Sequence, residues 1–341
     1  MPKRLAISLE SRYMPDRKCK KKVKYDTNWN NMPNEMKVMI MKNMDLVTRT
    51  RLRQCSKSDK CLADAFPIVV PKLIADQDRW IGLRSFSLIE PSANGDGLKN
   101  HILKVEQQFD RMKIWKKGED EKVRYYGIMG IGQAFRAFES YFYKILLAKN
   151  VRIEHFDIDW DLNKRYIPAD HMFHFKSVNI DCCDDYKERK KWLEHVAPGV
   201  KKIRSDCYIE AAGDLLIVLD AKHLDFNHTD INDEQLLRLK ATILRLGTSK
   251  VTIDGIRKLI KKWIDEDYPI GSKFEISLKS TSRPTIEQLF DGEYTKVTTH
   301  GSTSKTMVQM GSNKVMCIEI EKLILATHFI VKGKVLAKPK K

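Results

Sequence analysis

Long hydrophobic runs are missing from this 341-residue chain. The longest, around Phe142 to Ala148 and Leu215 to Leu219, fall far short of the roughly 20 apolar residues a membrane-crossing helix needs. The opening "MPKRLAISLESRYMP" holds too short an apolar stretch for a secretory leader. Cysteine is scarce: Cys19, Cys55, Cys61, Cys182, Cys183, Cys207 and Cys317 are odd in number and share no repeated spacing. That excludes a disulfide framework and a paired CxxC zinc site. The expectation is a cytoplasmic or nuclear protein with reduced thiols and no membrane partner.

Catalytic and cofactor signatures are lacking too. "YYGIMGIG" (125–132) orders its glycines GxxGxG rather than GxGxxG, and reads as a turn before an aromatic helix. "HGSTSKT" (300–306) lacks the glycine before Lys305 that a phosphate loop requires, and reads as a flexible polar loop. His171 and His174 in "HMFHF" have no third ligand at metal spacing and read as a structural pair. "DIDWD" (157–161) reads as a solvated strand end, because one run cannot supply convergent acid and base. Adjacent Cys182 and Cys183 would point apart on a strand, and no G-x-S-x-G element occurs. No cofactor, no metal and no catalytic residue are expected, so the chain is not read as an enzyme.

Charge and apolar patterning are what the chain does have. Hydrophobic residues make up 42% and charged residues 31%, as in a soluble folded protein. The net charge is +17, but residues 1–26 hold nine Lys/Arg against three acids and residues 332–341 hold five lysines and no acid. Both ends therefore read as basic tails, suited to nuclear import or non-specific phosphate contact. Structure is expected from about Trp29. Pro33 suits a first helical turn, and Met36, Met39, Ile40 and Met44 mark a buried helical stripe. Asp45 reads as the cap of a second helix, with Leu46, Arg49, Leu52 and Cys55 following. Ser56 or Ser58 caps a third that Pro67 ends. Three such short helices are too little to stand alone, so their apolar excess should face the rest of the chain or a partner.

Beyond Pro67, strands and helices alternate. Strands are expected at 84–90, from Val151, at 175–182, within "YIEAAGDLLIVLDA", at the end of 233–250 and at 272–280. A turn-rich loop falls at 91–97, and helices at 130–150, 186–196, the start of 233–250, and 252–264 with Thr252 as cap. The fold class is mixed α/β: a small three-helix N-terminal part, then a larger domain of alternating strands and helices. An irregular leucine-rich-repeat-like stack is one arrangement of such units.

"WNNMPNEMKVMIMKNMDLVTRTRLRQCSKSDKCL" resembles an F-box, in the divergent form of the large nematode F-box families. The resemblance rests on Trp29, the Met32-Pro33 pair, Glu35, Ile40 and "MDLVTRTRLRQCSK" (44–57). Met32 stands where leucine is commoner before the proline, and methionine packs adaptably. Residues 236–278, with the strand ending Leu-Gly-Thr-Ser and the helix running to Trp263-Ile264, look like the F-box-associated regions of the same families.

The resemblance implies a domain order of basic tail (1–26), F-box (27–67), F-box-associated substrate-binding domain (68–331) and basic tail (332–341). It implies a substrate-recognition subunit of a Skp–cullin–F-box ubiquitin ligase, binding the Skp-type adaptor through Met32, Pro33, Glu35, Ile40, Leu46 and Leu52 and, through it, a cullin–RING ligase. Trp160, Trp192, Trp263 and Arg204 are candidate contacts to an unknown protein target. The basic tails keep open a nucleic-acid- or chromatin-associated binder, and an F-box scaffold without ubiquitinated targets is a third reading.

Overall fold

The computed structural model describes residues 29–42, 44, 46–66, 68–77, 84–90, 101–107, 112–117, 122–126, 131–148, 151–159, 167–181, 186–279, 284–290, 298–300, 303–311, 313–322 and 328–338. The chain divides into two compact units, Met1–Asn43 and Met44–Lys341. The expected tail at 1–26, the Asp45 cap, the loop at 91–97, the Cys182-Cys183 pair and Trp160 lie outside the described residues.

In the first unit a 3-10 turn, Trp29–Asn31, leads into α1 (Asn34–Lys42). The Lys37 amide donates to the Pro33 carbonyl at 3.1 Å, so Pro33 stands one residue before α1, where its missing N–H costs nothing. The Lys37 ammonium lies 5.8 Å from the centre of the Trp29 ring. In the second unit, α2 (Leu46–Cys55) and α3 (Lys57–Ala65) form a hairpin. Ser56 caps α3, accepting from the Asp59 amide at 3.0 Å. Two arginines tie the hairpin: buried Arg49 donates to the Phe66 carbonyl at 2.8 Å, and Arg53 Nε lies 2.6 Å from Asp64.

The remaining elements build one sheet of 15 described strands. An antiparallel meander comes first: β1 (Ile68–Gln77), β2 (Arg84–Glu90), β3 (His101–Gln107), β4 (Met112–Lys117) and β5 (Lys122–Tyr126). After α4 (Ile131–Leu146) the chain returns to pair β6 (Val151–Ile158) parallel with β1. Five more parallel strands follow in chain order: β7 (Ser177–Ile180), β8 (Lys202–Ser205), β9 (His223–His228), β10 (Ile243–Thr248) and β11 (Lys273–Lys279). Between them run α5 (Tyr186–Leu193), α6 (Leu216–Asp220), α7 (Asp233–Arg238) and α8 (Ile253–Asp265). After α9 (Ile286–Leu289) a second antiparallel meander closes the sheet: β12 (Thr298–His300), β13 (Thr303–Met310), β14 (Lys314–Lys322) and β15 (His328–Ala337), with β15 against β11. The parallel strands thus stack as irregular strand–helix units, capped at both ends by meanders.

Register makes the core. Phe156, Val178, Ile203, Leu224, Leu244 and Phe274 stand opposite one another across β6 to β11, all buried. Ring contacts place the helices on this face: Trp192 of α5 lies 5.6 Å from Phe156, Trp263 of α8 5.3 Å from Phe274, and Phe138 of α4 5.4 Å from Phe86. Helix ends stitch successive units. Asp233 of α7 accepts from the amide and hydroxyl of Thr252, the N-cap of α8, at 2.7 and 2.6 Å. Gly255 is required there, because a Cβ would fall 2.0 Å from Asp233 Oδ1. Lys262 answers at the other end, donating to the Leu237 and Leu239 carbonyls at the C-terminus of α7.

Several expectations are corrected. Residues 208–221 hold a 3-10 turn and α6 rather than a strand: Ile217 and Val218 face the core on one helical turn, and the strand comes next as β9. Of the polar loop read at 300–306, His300 closes β12 and residues 303–306 open β13, with 301–302 outside the described residues. The basic tail read at 332–341 is, as far as Ala337, the second half of β15, whose Val331 and Val335 are buried. Met36 and Met39 are exposed and Ile40 and Met44 half-buried, so the α1 stripe is not buried as expected; Met41 is.

Gly333 of β15 faces Phe274 of β11, whose ring occupies the space a Cβ would fill, 2.1 Å from Cε1. Gly333→Ala is expected to destabilise the sheet by roughly 1–3 kcal/mol, read as a lower urea midpoint with unchanged slope. An unchanged midpoint would contradict this packing.

Candidate functional site

The α1 residues form the first candidate surface. Met32 is half-buried, with its amide donating to the Trp29 carbonyl at 3.2 Å. Pro33 and Glu35 are exposed, Ile40 is half-buried, and on the hairpin Leu52 is half-buried; Leu46 opens α2. Met36 and Met39, passed over as core, are 52% and 67% exposed. Three residues apart on a helix, with Glu35 beside them, they make one continuous strip. An exposed apolar strip at a chain's small helical end is the kind of surface a partner covers.

The second surface is the sheet face opposite the core helices. Strand alternation turns every second residue there. One row reads Ser177, Lys202, His223, Ile243, Lys273 and Lys334 across β7, β8, β9, β10, β11 and β15. The next row reads Asn179, Arg204, Asp225, Arg245, Glu275 and Lys332. Lys202, Arg245, Lys273 and Lys334 are exposed. Between β9 and β13 this face encloses a concavity of about 600 Å³, whose lining includes His223, Ile243, Lys273, Glu319, Lys334 and Leu336.

The second row is internally paired. Arg245 lies 3.6 Å from Asp225 and 3.4 Å from Glu275, Lys305 of β13 lies 2.6 Å from Glu319 of β14, and Lys332 lies 2.6 Å from Glu321. Lys305 holds the Glu319 carboxyl below its ordinary value, and burial pushes the Cys317 thiol up. In the first row, burial and then the charge of Lys202 lower the pKa of His223, against the opposing pull of Asp225. At the far end of the strands, Asp206 accepts from Arg204 at 3.0 Å and from Asn227 at 2.6 Å. Asp181 shares a hydrogen bond with Asp206, and that bond, followed by burial, raises Asp181 to about 6. The Asp206 carboxyl is lowered by the same bond. Among the described residues no three His, Cys, Asp or Glu side chains converge to hold a metal.

The residues singled out as target contacts separate. Trp192 and Trp263 are core residues, 5% and 1% exposed, so they are not available to a target. Arg204 does lie on the open face. The row of Lys202, His223, Lys273 and Lys334 was missed, because its members are scattered through 133 positions of sequence (202 to 334) and meet only through register. His171 and His174 sit in an irregular segment, where the His171 carbonyl lies 3.1 Å from the His195 ring. Among the described residues no helix is long and apolar enough to cross a membrane.

Asp181 carries a pH dependence of defined sign. Its folded value of about 6 lies above its ordinary 3.8, so the stability it contributes is whole below 3.8 and is lost as pH rises through about 6. Asp181→Asn keeps a donor for Asp206 and removes the ionisation. The variant is expected to melt higher than wild type at about pH 7.5 and nearly level with it near pH 4, followed by circular dichroism. An equal shift at both pH values would contradict the shared proton.

Residues 29–70 match the F-box domain family. A Caenorhabditis elegans protein named as an uncharacterized F-box protein is 23% identical over 268 residues, covering 70% of this chain and 66% of that relative, so the chain spans just under two thirds of the relative's length. No solved structure matches the chain. The helical strip of α1 and the α2–α3 hairpin fall inside the matched residues, so the chain carries an F-box domain at residues 29–70 and is similar beyond it to a nematode F-box protein.

Proposed function

We propose that this chain is the substrate-recognition subunit of a Skp–cullin–F-box type ubiquitin ligase. F-box domains in general serve ubiquitin-ligase substrate recognition, and the match over residues 29–70 carries the reading. The F-box binds a Skp-type adaptor, and residues 68–331 act as the F-box-associated domain that holds a protein target. Catalysis belongs to the other subunits: the chain raises the effective concentration of the target near the transferred ubiquitin and makes no bond itself. The reading places the protein in the cytoplasm or nucleus, with target degradation as the outcome.

Physical support comes from α1. Stable interfaces centre on apolar anchors ringed by polar groups. Exposed Met36 and Met39, flanked by Glu35 and Pro33, supply that pattern within the matched residues. Of the six residues expected at the adaptor, Pro33 and Glu35 are exposed, Met32 and Ile40 are half-buried in the same unit, and Leu52 is half-buried in the second unit. Leu46 at the start of α2 completes the proposed set.

Co-expression with a Skp-type adaptor tests the reading. Wild type is expected to co-purify with the adaptor, and Met36→Glu/Met39→Glu to lose at least about tenfold in affinity with the melting temperature of the sheet unchanged. A folded wild type that does not bind the adaptor would remove the ligase role. Adaptor binding without any ubiquitinated target in cells would instead favour a scaffold.

A further inference from the structure

The sheet face opposite the core helices carries exposed cations that no described residue pairs. Lys202, Lys273 and Lys334 have no ion-pair partner among the described residues, whereas Arg245, Lys305 and Lys332 one row along are each paired with a carboxylate. Ion pairs within a sheet are made where opposite charges stand in neighbouring positions. Here the neighbours directly across the ladder are Ser177 and His223 for Lys202, Ile243 for Lys273 and Cys317 for Lys334, while Lys273 and Lys334 face each other, so no carboxylate stands directly opposite any of the three. Lys201 and Lys222, also exposed, precede Lys202 and His223 at the same end of the strands. The clustering lowers the pKa of His223, after burial, through Lys202 and Lys273. Three lysines without a carboxylate partner among the described residues are thus held in one row across five in-register strands.

We propose that this row is a binding site for an extended acidic peptide segment of a target protein, with its carboxylates set against Lys202, Lys273 and Lys334. The proposal rests on the reading of residues 68–331 as the target-binding domain and names the chemistry of that target. Dimensions agree. Strands stand roughly 4.8 Å apart, so β8 to β15 spans about 19 Å, the length of about six extended residues. Ile243 sits mid-row, so an apolar side chain between two acidic ones would find both its contacts. The concavity over His223, Ile243, Lys273 and Lys334 gives that segment a bed instead of a flat surface.

A peptide suits the face better than a nucleic acid. Asp225, Glu275 and Glu319 line the same concavity and already hold Arg245 and Lys305 in ion pairs, so those two cations are not open to a continuous phosphodiester chain. Single-stranded nucleic acid also stacks its bases on exposed aromatic rings. Among the described residues, the only ring system besides His223 lining this concavity is Phe274, which is buried. An extended peptide directs alternate side chains to one face and can match the lysine row without crossing the row of paired charges beside it.

Fluorescence polarisation on the full chain tests this, with a labelled peptide of about twelve residues alternating Glu and Ala, its Gln–Ala counterpart, and an oligo-dT of about twelve nucleotides. The Glu–Ala peptide is expected to bind more tightly than the other two. Lys202→Glu/Lys273→Glu/Lys334→Glu should weaken it about tenfold or more. Lys144→Glu/Lys261→Glu, two exposed helix lysines, should leave it unchanged. Equal binding of the Glu and Gln peptides, or unchanged binding by the triple variant, would overturn the proposal. Tight oligo-dT binding lost in the triple variant would overturn it in favour of nucleic acid. Melting curves and adaptor co-purification show that each variant is folded. Peptide binding by a wild type that fails to bind adaptor sinks only the ligase reading, and adaptor binding without peptide binding sinks only this one.

Discussion

Stacking in register of apolar side chains along one face of the parallel sheet is the constraint on which this structure depends. No single strand–helix unit from β6 to β11 can bury its own face. Phe156, Val178, Ile203, Leu224, Leu244 and Phe274 become core only because each lies beside the next. Repeat-like architectures share this dependence on neighbours, and with it the need for special ends. Here the ends are the two antiparallel meanders, β2 to β5 on one side and β15 to β12 on the other. They keep the edges of the parallel stack from presenting open backbone to another chain.

The same constraint creates the functional surface. Strand alternation divides residues strictly between the two faces, and the core helices occupy one of them. Residues on the other face are not packed against those helices, and several of them are exposed and charged. That face has used its freedom unevenly: its middle row neutralises itself, its β6–β8 end gathers Asp159, Asp181 and Asp206, and its opposite margin gathers lysines. At the other end of the chain, α1 shows the reverse economy. Its Met36 and Met39 are apolar but exposed, as expected of a segment whose burial is completed by a partner.

Legibility in the sequence followed the range of the interactions involved. α8 could be read because its cap Thr252 and its period of apolar residues are local. β2, β6, β10 and β11 could be read because alternation shows within six to eight residues. The F-box was readable as a motif around Met32-Pro33 and residues 44–57. β9 was hidden by the apolar run Leu215 to Leu219 just before it, which has strand-like composition but forms α6. β15 was hidden by its outward lysines, Lys332 and Lys334, which outweigh Val331 and Val335 in any reading by charge. The basic row was illegible in principle, since nothing in the sequence places Lys202 beside His223 or Lys273 beside Lys334 until the register is known.

Lysine acetylation footprinting of the full chain, read by mass spectrometry residue by residue, tests the exposure of this sheet face most directly. Lys202, Lys273 and Lys334 are exposed and unpaired among the described residues, so they should react as fast as Lys144 and Lys261 on the helices and faster than ion-paired Lys305 and Lys332. Slow reaction of Lys202, Lys273 and Lys334 while Lys144 and Lys261 react freely would mean that the face is covered, and would contradict its role as a binding surface.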